Sequence, residues 1–80
     1  MKKIRLQYFA ILREHRGQNE ESRDTIAATA GELYEELKSE FKFPLGQEQT
    51  RVAINGEFSA MDAPLNNGDE VVYIPPVAGG

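Results

Sequence analysis

Leu65-Asn66-Asn67-Gly68-Asp69-Glu70-Val71-Val72-Tyr73-Ile74-Pro75-Pro76 decides the fold. Pro64 to Asp69 reads as a turn, with Leu65 its anchor in the core. Val71 to Ile74 is a near-continuous apolar run, which suits a central strand that contacts material on both faces. Pro75 and Pro76 then fix φ at about −65° and donate no backbone hydrogen bond, so the strand stops there and the chain stays extended.

Upstream, Val52 and Ile54 alternate with Arg51 and Ala53. Asn55-Gly56 and Glu57-Phe58 follow. Asn-Gly between two short strands is a strong hairpin signal, because a type I′ turn needs positive φ at both positions. Further back, Leu33, Leu37 and Phe41 recur every four residues with Ala30 and Tyr34 beside them, one apolar stripe of a helix. Thr29 and Glu32 have capping-box spacing at its start. Pro44 closes the segment, and Phe43 before it disfavours helix. The glutamates Glu32, Glu35, Glu36 and Glu40 take the solvated positions, not those of a general acid, which needs burial.

At the other end, Ile4, Leu6 and Tyr8 alternate with Lys3, Arg5 and Gln7 in a first strand. Ala10 to Glu14 reads as a short helical turn that ends near Gly17. Glu20 to Ile26 is a second strand, antiparallel to the first. The order strand, strand, helix, strand, strand, strand is an α+β design: a mixed sheet of about five strands packed on one main helix. Alternation puts Ile4, Leu6, Tyr8, Val52, Ile54, Val71 and Tyr73 beneath the helix. The opposite side then carries Phe9, Val72 and Ile74, with Phe58 nearby. Apolar side chains grouped on an open sheet face predict a protein–protein contact.

Composition excludes several classes. Eighty residues make one small domain with one core. There is no cysteine, hence no disulfide, thiolate nucleophile or cysteine metal site, and the single His15 lies in a charged stretch and has no second histidine to complete a metal site. A net charge of −4 argues against nucleic acid or an anionic membrane as partner, since phosphate binding needs a basic stripe. Arg5, Gln7, Arg13 and Glu14 interrupt the apolar stretch after Met1-Lys2-Lys3, so it fails as a signal peptide, and no segment has membrane-spanning length. The expectation is a soluble cytoplasmic protein.

The division expected is a domain over 1–75 and a flexible tail over 76–80. From Pro76 onward five residues reach ~16 Å, enough to enter a partner's active site while the domain docks outside. Gly79 and Gly80 lack Cβ atoms and can pass a narrow slot. The Gly80 α-carboxylate is ionised at neutral pH, a poor acyl electrophile that must first be activated, and the expected activated form is an acyl-adenylate. The chain holds no Gly-rich phosphate loop with a lysine and no nucleophile paired with a base. Activation must come from outside, so the chain is expected to act as a protein cosubstrate.

Three blocks carry a family resemblance: Leu6-Gln7-Tyr8-Phe9-Ala10-Ile11-Leu12-Arg13-Glu14, Val52-Ala53-Ile54-Asn55-Gly56, and Pro64 through Pro75-Pro76-Val77-Ala78-Gly79-Gly80. With them the chain resembles the MoaD family, the small subunits of molybdopterin synthase. The resemblance implies a ubiquitin-like β-grasp fold and a sulfur carrier. A MoeB-type enzyme would adenylate Gly80 with ATP and Mg²⁺, and a sulfur donor would make the thiocarboxylate. The tail would enter a MoaE-type large subunit and give sulfur to cyclic pyranopterin monophosphate, forming the molybdopterin dithiolene. The implied assembly is a heterotetramer, and the small subunit itself binds no cofactor or metal. The partner-binding set is Phe9, Phe58, Val72, Ile74, Pro75, Pro76 and Val77. Gly80 is the reactive residue and Gly79 gives access. Arg13 contacts the partner or forms a surface ion pair with Glu14 or another acid. Carriers for thiamine or tRNA thiolation, and a ubiquitin-like modifier joined to lysines, are the alternatives. The Phe-Ala-x-Leu-Arg-Glu block and the Pro-Pro-Val-x-Gly-Gly ending favour the molybdopterin branch.

Overall fold

In the computed structural model, which describes residues 1–76, the apolar run after the last turn lies at the centre of the sheet. The elements are β1 (Lys2–Tyr8), α1 (Ala10–Arg16), β2 (Glu20–Thr25), α2 (Ala30–Phe41), β3 (Arg51–Ile54), β4 (Glu57–Ser59) and β5 (Glu70–Ile74). A turn of 3-10 helix, Gln47–Gln49, precedes β3. The five strands form one sheet in the order β2-β1-β5-β3-β4. The β1–β5 pair is parallel, and the other three pairs are antiparallel. This mixed sheet with one main helix is the α+β, β-grasp arrangement that the sequence predicts.

Alternation sets the two faces of the sheet. Ile4, Leu6, Tyr8, Val52, Val71 and Tyr73 are buried with Leu33, Tyr34 and Leu37 of α2. Ile54 is only partly buried but packs on the same cluster. Each fully buried Leu, Ile or Val side chain contributes about 1.5–3 kcal/mol. Tyr73 spans the layers: its hydroxyl donates to the Ala30 carbonyl at 2.7 Å, and its ring lies 5.1 Å from that of Tyr34. Leu65 is buried, as an anchor should be.

Local signals act as read, with adjustments. Thr29 caps α2 by accepting from the Glu32 amide, but Glu32 accepts from Ala28 and not from Thr29 itself. The box closes one residue further out. Helix α2 stops at Phe41 because Lys42 takes the left-handed conformation, φ 60°, before Pro44 is reached. Phe43 then turns inward against Tyr8, Tyr34 and Phe41, with ring centroids 5.9–6.0 Å apart. Asn55 and Gly56 have φ of 53° and 86°, the paired positive values of a type I′ turn.

Among the described residues no helix is long and apolar enough to cross a membrane. Pro75 is buried and Pro76 exposed; the remainder of the expected tail lies outside the described residues.

Candidate functional site

Parallel pairing of β1 and β5 has a direct consequence for the site. With Tyr8 opposite Tyr73, both strands leave the sheet at the same end. Phe9 departs β1 there, and Pro75-Pro76 depart β5. Strand β3 runs antiparallel to β5, so Arg51 lies opposite Ile74, and the loop before β3 arrives at the same end. Three segments distant in sequence therefore converge around the root of the tail.

Phe9 has extended backbone, φ −126°, and makes no side-chain cap. Ala10 follows with φ 52°, which turns the chain sharply into α1. Leu12 fastens α1 to the core, and Gly17 ends it with φ 85° and an amide donating to the Arg13 carbonyl. A second anchor lies beneath the helix. Arg16 donates from Nε and Nη2 to both oxygens of Glu21, each at 2.7 Å, and the Tyr8 hydroxyl donates to the same carboxylate at 2.7 Å. The Arg16 guanidinium also stands 4.3 Å above the Phe41 ring. Arg16's hydrogen bonds hold the Glu21 carboxyl below its usual range. Burial, reinforced by Glu21, pushes the Tyr8 phenol up, so it stays a neutral donor.

The resulting concavity is apolar and measures about 550 Å³; its walls are Phe9, Ala10, Ile11, Leu45, Ile74, Pro75 and Pro76. Phe9 and Ile11 are 40% and 39% exposed. A second concavity, lined by Glu48, Gln49, Thr50 and Arg51, also reaches Pro76. Pro76, the last described residue, lines both concavities. The apolar groove can seat apolar side chains of another protein.

Phe9, Ile74, Pro75 and Pro76 are thus brought together. Val72 and Phe58 lie apart from the groove, on the open sheet face. Gln7, Val72, Ala53 and Phe58 stand in one cross-strand row, and Phe58 is 70% exposed. Ile11 and Leu45 are groove residues that the sequence reading did not single out. Ile11 could have been found as the apolar residue left over once Leu12 is assigned to the core. Leu45 sits in a loop without a pattern. Arg13 is exposed and, among the described residues, forms no salt bridge, with Glu14 or any other acid. Val77, Gly79 and Gly80 lie outside the described residues.

Residues 6–80 match the ThiS family. The chain belongs to the ThiS family. A relative in Emericella nidulans, named molybdopterin synthase sulfur carrier subunit, is 32% identical with both chains covered end to end. Among solved structures, a putative molybdopterin converting factor subunit 1 from Pyrococcus furiosus is similar at 30% identity and TM-score 0.77, over 96% of this chain and 100% of that one. SAMP1 from Haloferax volcanii, a small archaeal modifier protein, is similar at 26% identity and TM-score 0.79, over 98% of this chain and 99% of that one. This ThiS-family chain thus has the ubiquitin-like β-grasp fold of both neighbours. The ThiS match also runs through the groove residues and the whole of the tail.

Proposed function

We propose that this ThiS-family chain is the sulfur-carrier small subunit of a molybdopterin synthase. The Gly80 carboxylate is adenylated by a MoeB-type partner that uses ATP and Mg²⁺. A sulfur donor displaces the adenylate and leaves a thiocarboxylate. The tail then delivers sulfur to cyclic pyranopterin monophosphate in a MoaE-type large subunit, and the spent carboxylate is recharged. The chain is not an enzyme alone; it is the sulfur-donating half of one, and its setting is the cytoplasm, where those partners work.

The observation that carries this reading is the convergence at the tail root. Phe9, Ile11, Leu45 and Ile74 form an apolar seat beside Pro75 and Pro76, where a partner can dock while the tail reaches inward. The end-to-end similarity to a named molybdopterin synthase sulfur carrier subunit supports the pathway. An acidic chain, net −4, leaves the anionic pterin to its partner.

The test is the intact mass of protein purified from cells, with removal of Gly80 as its complement. An oxygen-to-sulfur exchange confined to the C-terminal peptide is expected. Removing Gly80 is expected to abolish molybdopterin formation without changing the thermal midpoint, because residues 1–76 hold the core. Molybdopterin formation by the shortened chain would sink the carrier reading. The likeness to SAMP1 favours a second reading, a protein modifier. Branched peptides on lysines of other proteins would decide for it. Carriage of sulfur with no activity toward the pterin would move the assignment to thiamine or tRNA thiolation.

A further inference from the structure

Two Asn-Gly pairs serve as turns, and the carrier reading gives their side chains no chemistry. In such pairs the glycine amide nitrogen can attack Cγ of the asparagine side chain. The carboxamide nitrogen leaves as ammonia, a cyclic imide forms, and water opens it at either carbonyl to aspartate or isoaspartate. Glycine favours the step because it puts no side chain in the way. Both the carboxamide and the amide must be free to meet.

In this fold both pairs are held. Asn55 donates from Nδ2 to Asp69 Oδ1 at 2.9 Å and accepts at Oδ1 from the Glu70 amide at 3.0 Å. Its own amide donates to the Glu70 carbonyl at 2.8 Å. At the second pair, Asn67 Oδ1 accepts from the Lys3 amide at 2.7 Å, and the Gly68 amide donates to the Lys3 carbonyl at 2.8 Å. One residue, Lys3, therefore grips both the electrophile and the nucleophile of Asn67-Gly68. Asn55 is gripped only through its own groups, and Gly56 stands exposed at the tip of the hairpin.

We infer that Asn55-Gly56 and Asn67-Gly68 are latent deamidation sites latched by the fold, with Asn55 converting first. The order follows from what each latch holds. Both latches reach inner strands, Asn55 to Glu70 of β5 and Asn67 to Lys3 of β1. At Asn67 the latch also holds the attacking Gly68 amide, whereas at Asn55 it holds the asparagine's own groups, at the end of the hairpin that leads to β4, a three-residue edge strand, and short edge elements open at low cost. The consequence at Asn55 is self-reinforcing. Aspartate there loses the Nδ2 donor and sets a second carboxylate against Asp69, which loosens the hairpin that carries Phe58. Isoaspartate at position 67 lengthens the backbone by one methylene, so the Gly68 amide no longer meets the Lys3 carbonyl.

The full chain would be incubated in mildly alkaline buffer, native and in denaturing urea, with aspartate and isoaspartate at each position followed by peptide mapping. Two hydrogen bonds must open before either native site reacts, so conversion about tenfold or more slower than in urea is expected at both. Asn55 is expected to lead Asn67 in the native chain, and the two to convert at similar rates in urea. Hydrogen exchange supplies a second readout, with the Gly68 amide protected. Native conversion of either asparagine at the urea rate overturns the latch. Conversion of Asn67 ahead of Asn55 overturns the order, and rapid exchange at Gly68 removes Lys3 from the mechanism.

Discussion

Tyr73 does two jobs with one side chain. Its ring fills the core between sheet and helix, and its hydroxyl finds the Ala30 carbonyl at 2.7 Å. Burial pushes the phenol's pKa up, so the hydroxyl stays a neutral donor at neutral pH. Tyr73→Phe keeps the ring but takes this donor from the Ala30 carbonyl, and is expected to cost about 1 kcal/mol by urea unfolding. No change in midpoint would mean that the helix already satisfies that carbonyl. Ala10 shows the opposite economy. A left-handed alanine costs roughly 1–2 kcal/mol, and φ 52° puts Ala10 in that region. Ala10→Gly should therefore stabilise the fold by about 1 kcal/mol or less, the relief being partly offset by glycine's extra chain entropy. A lowered midpoint would show that the methyl group's packing beside Phe9 outweighs the strain. Asn55 was legible as a positive-φ residue because Asn-Gly announces it. Ala10 was not, because alanine carries no signal for a left-handed turn; only the need to swing from β1 into α1 puts it there.

Helix α1 has seven residues, too short to persist alone, and is held by tertiary contacts. Leu12 supplies the apolar anchor, and the Arg16–Glu21–Tyr8 cluster the polar one. Arg16 and Glu21 side chains are only 20% and 15% exposed, so this pair is screened less than a surface ion pair. Glu21's folded pKa lies below its usual value, chiefly through Arg16's hydrogen bonds. Its stabilisation is therefore complete above the unfolded carboxyl value, about 4.3, and is lost as pH falls through the lowered folded value. Glu21→Gln is expected to be less stable than the parent at neutral pH, with the gap closing as pH drops below about 4. Parallel stability–pH curves for the two proteins would exclude Glu21 as the source. The helix itself was visible in the sequence from Ala10 to its stop near Gly17. The cluster was not: Arg16 and Glu21 are five apart across a turn, and only antiparallel pairing of β1 with β2, Leu6 opposite Glu21, lays the carboxylate beside Tyr8.

At the scale of the molecule, the deciding feature is the parallel β1–β5 pair at the centre of the sheet. Periodicity told which residues face the helix, and the order of elements told the fold class. Neither states which strands are neighbours or where their ends lie. That is why Phe9, Ile74, Pro75 and Pro76 were found from alternation and the proline stop, while Ile11 and Leu45 were not. Their part in the groove depends on α1 and the loop before β3 arriving at one end of the sheet. From that end the apolar surface passes from Ile74 to Val72, two residues along the same face of β5, and across Ala53 to Phe58. If this is where a large subunit docks, a charge in the middle of it must be desolvated without a partner, and hot-spot changes at such positions weaken binding by about tenfold or more. Ile74→Arg and Phe9→Arg are each expected to raise the dissociation constant for a MoaE-type subunit by that factor. Ser22→Arg, at an exposed position on the far edge strand, should leave it unchanged. Thermal midpoints of all three should stay near the parent's, since Ile74 is half-buried and Phe9 exposed. Equal affinity for Ile74→Arg and Ser22→Arg would detach the groove from docking and leave the tail as the only element the partner recognises.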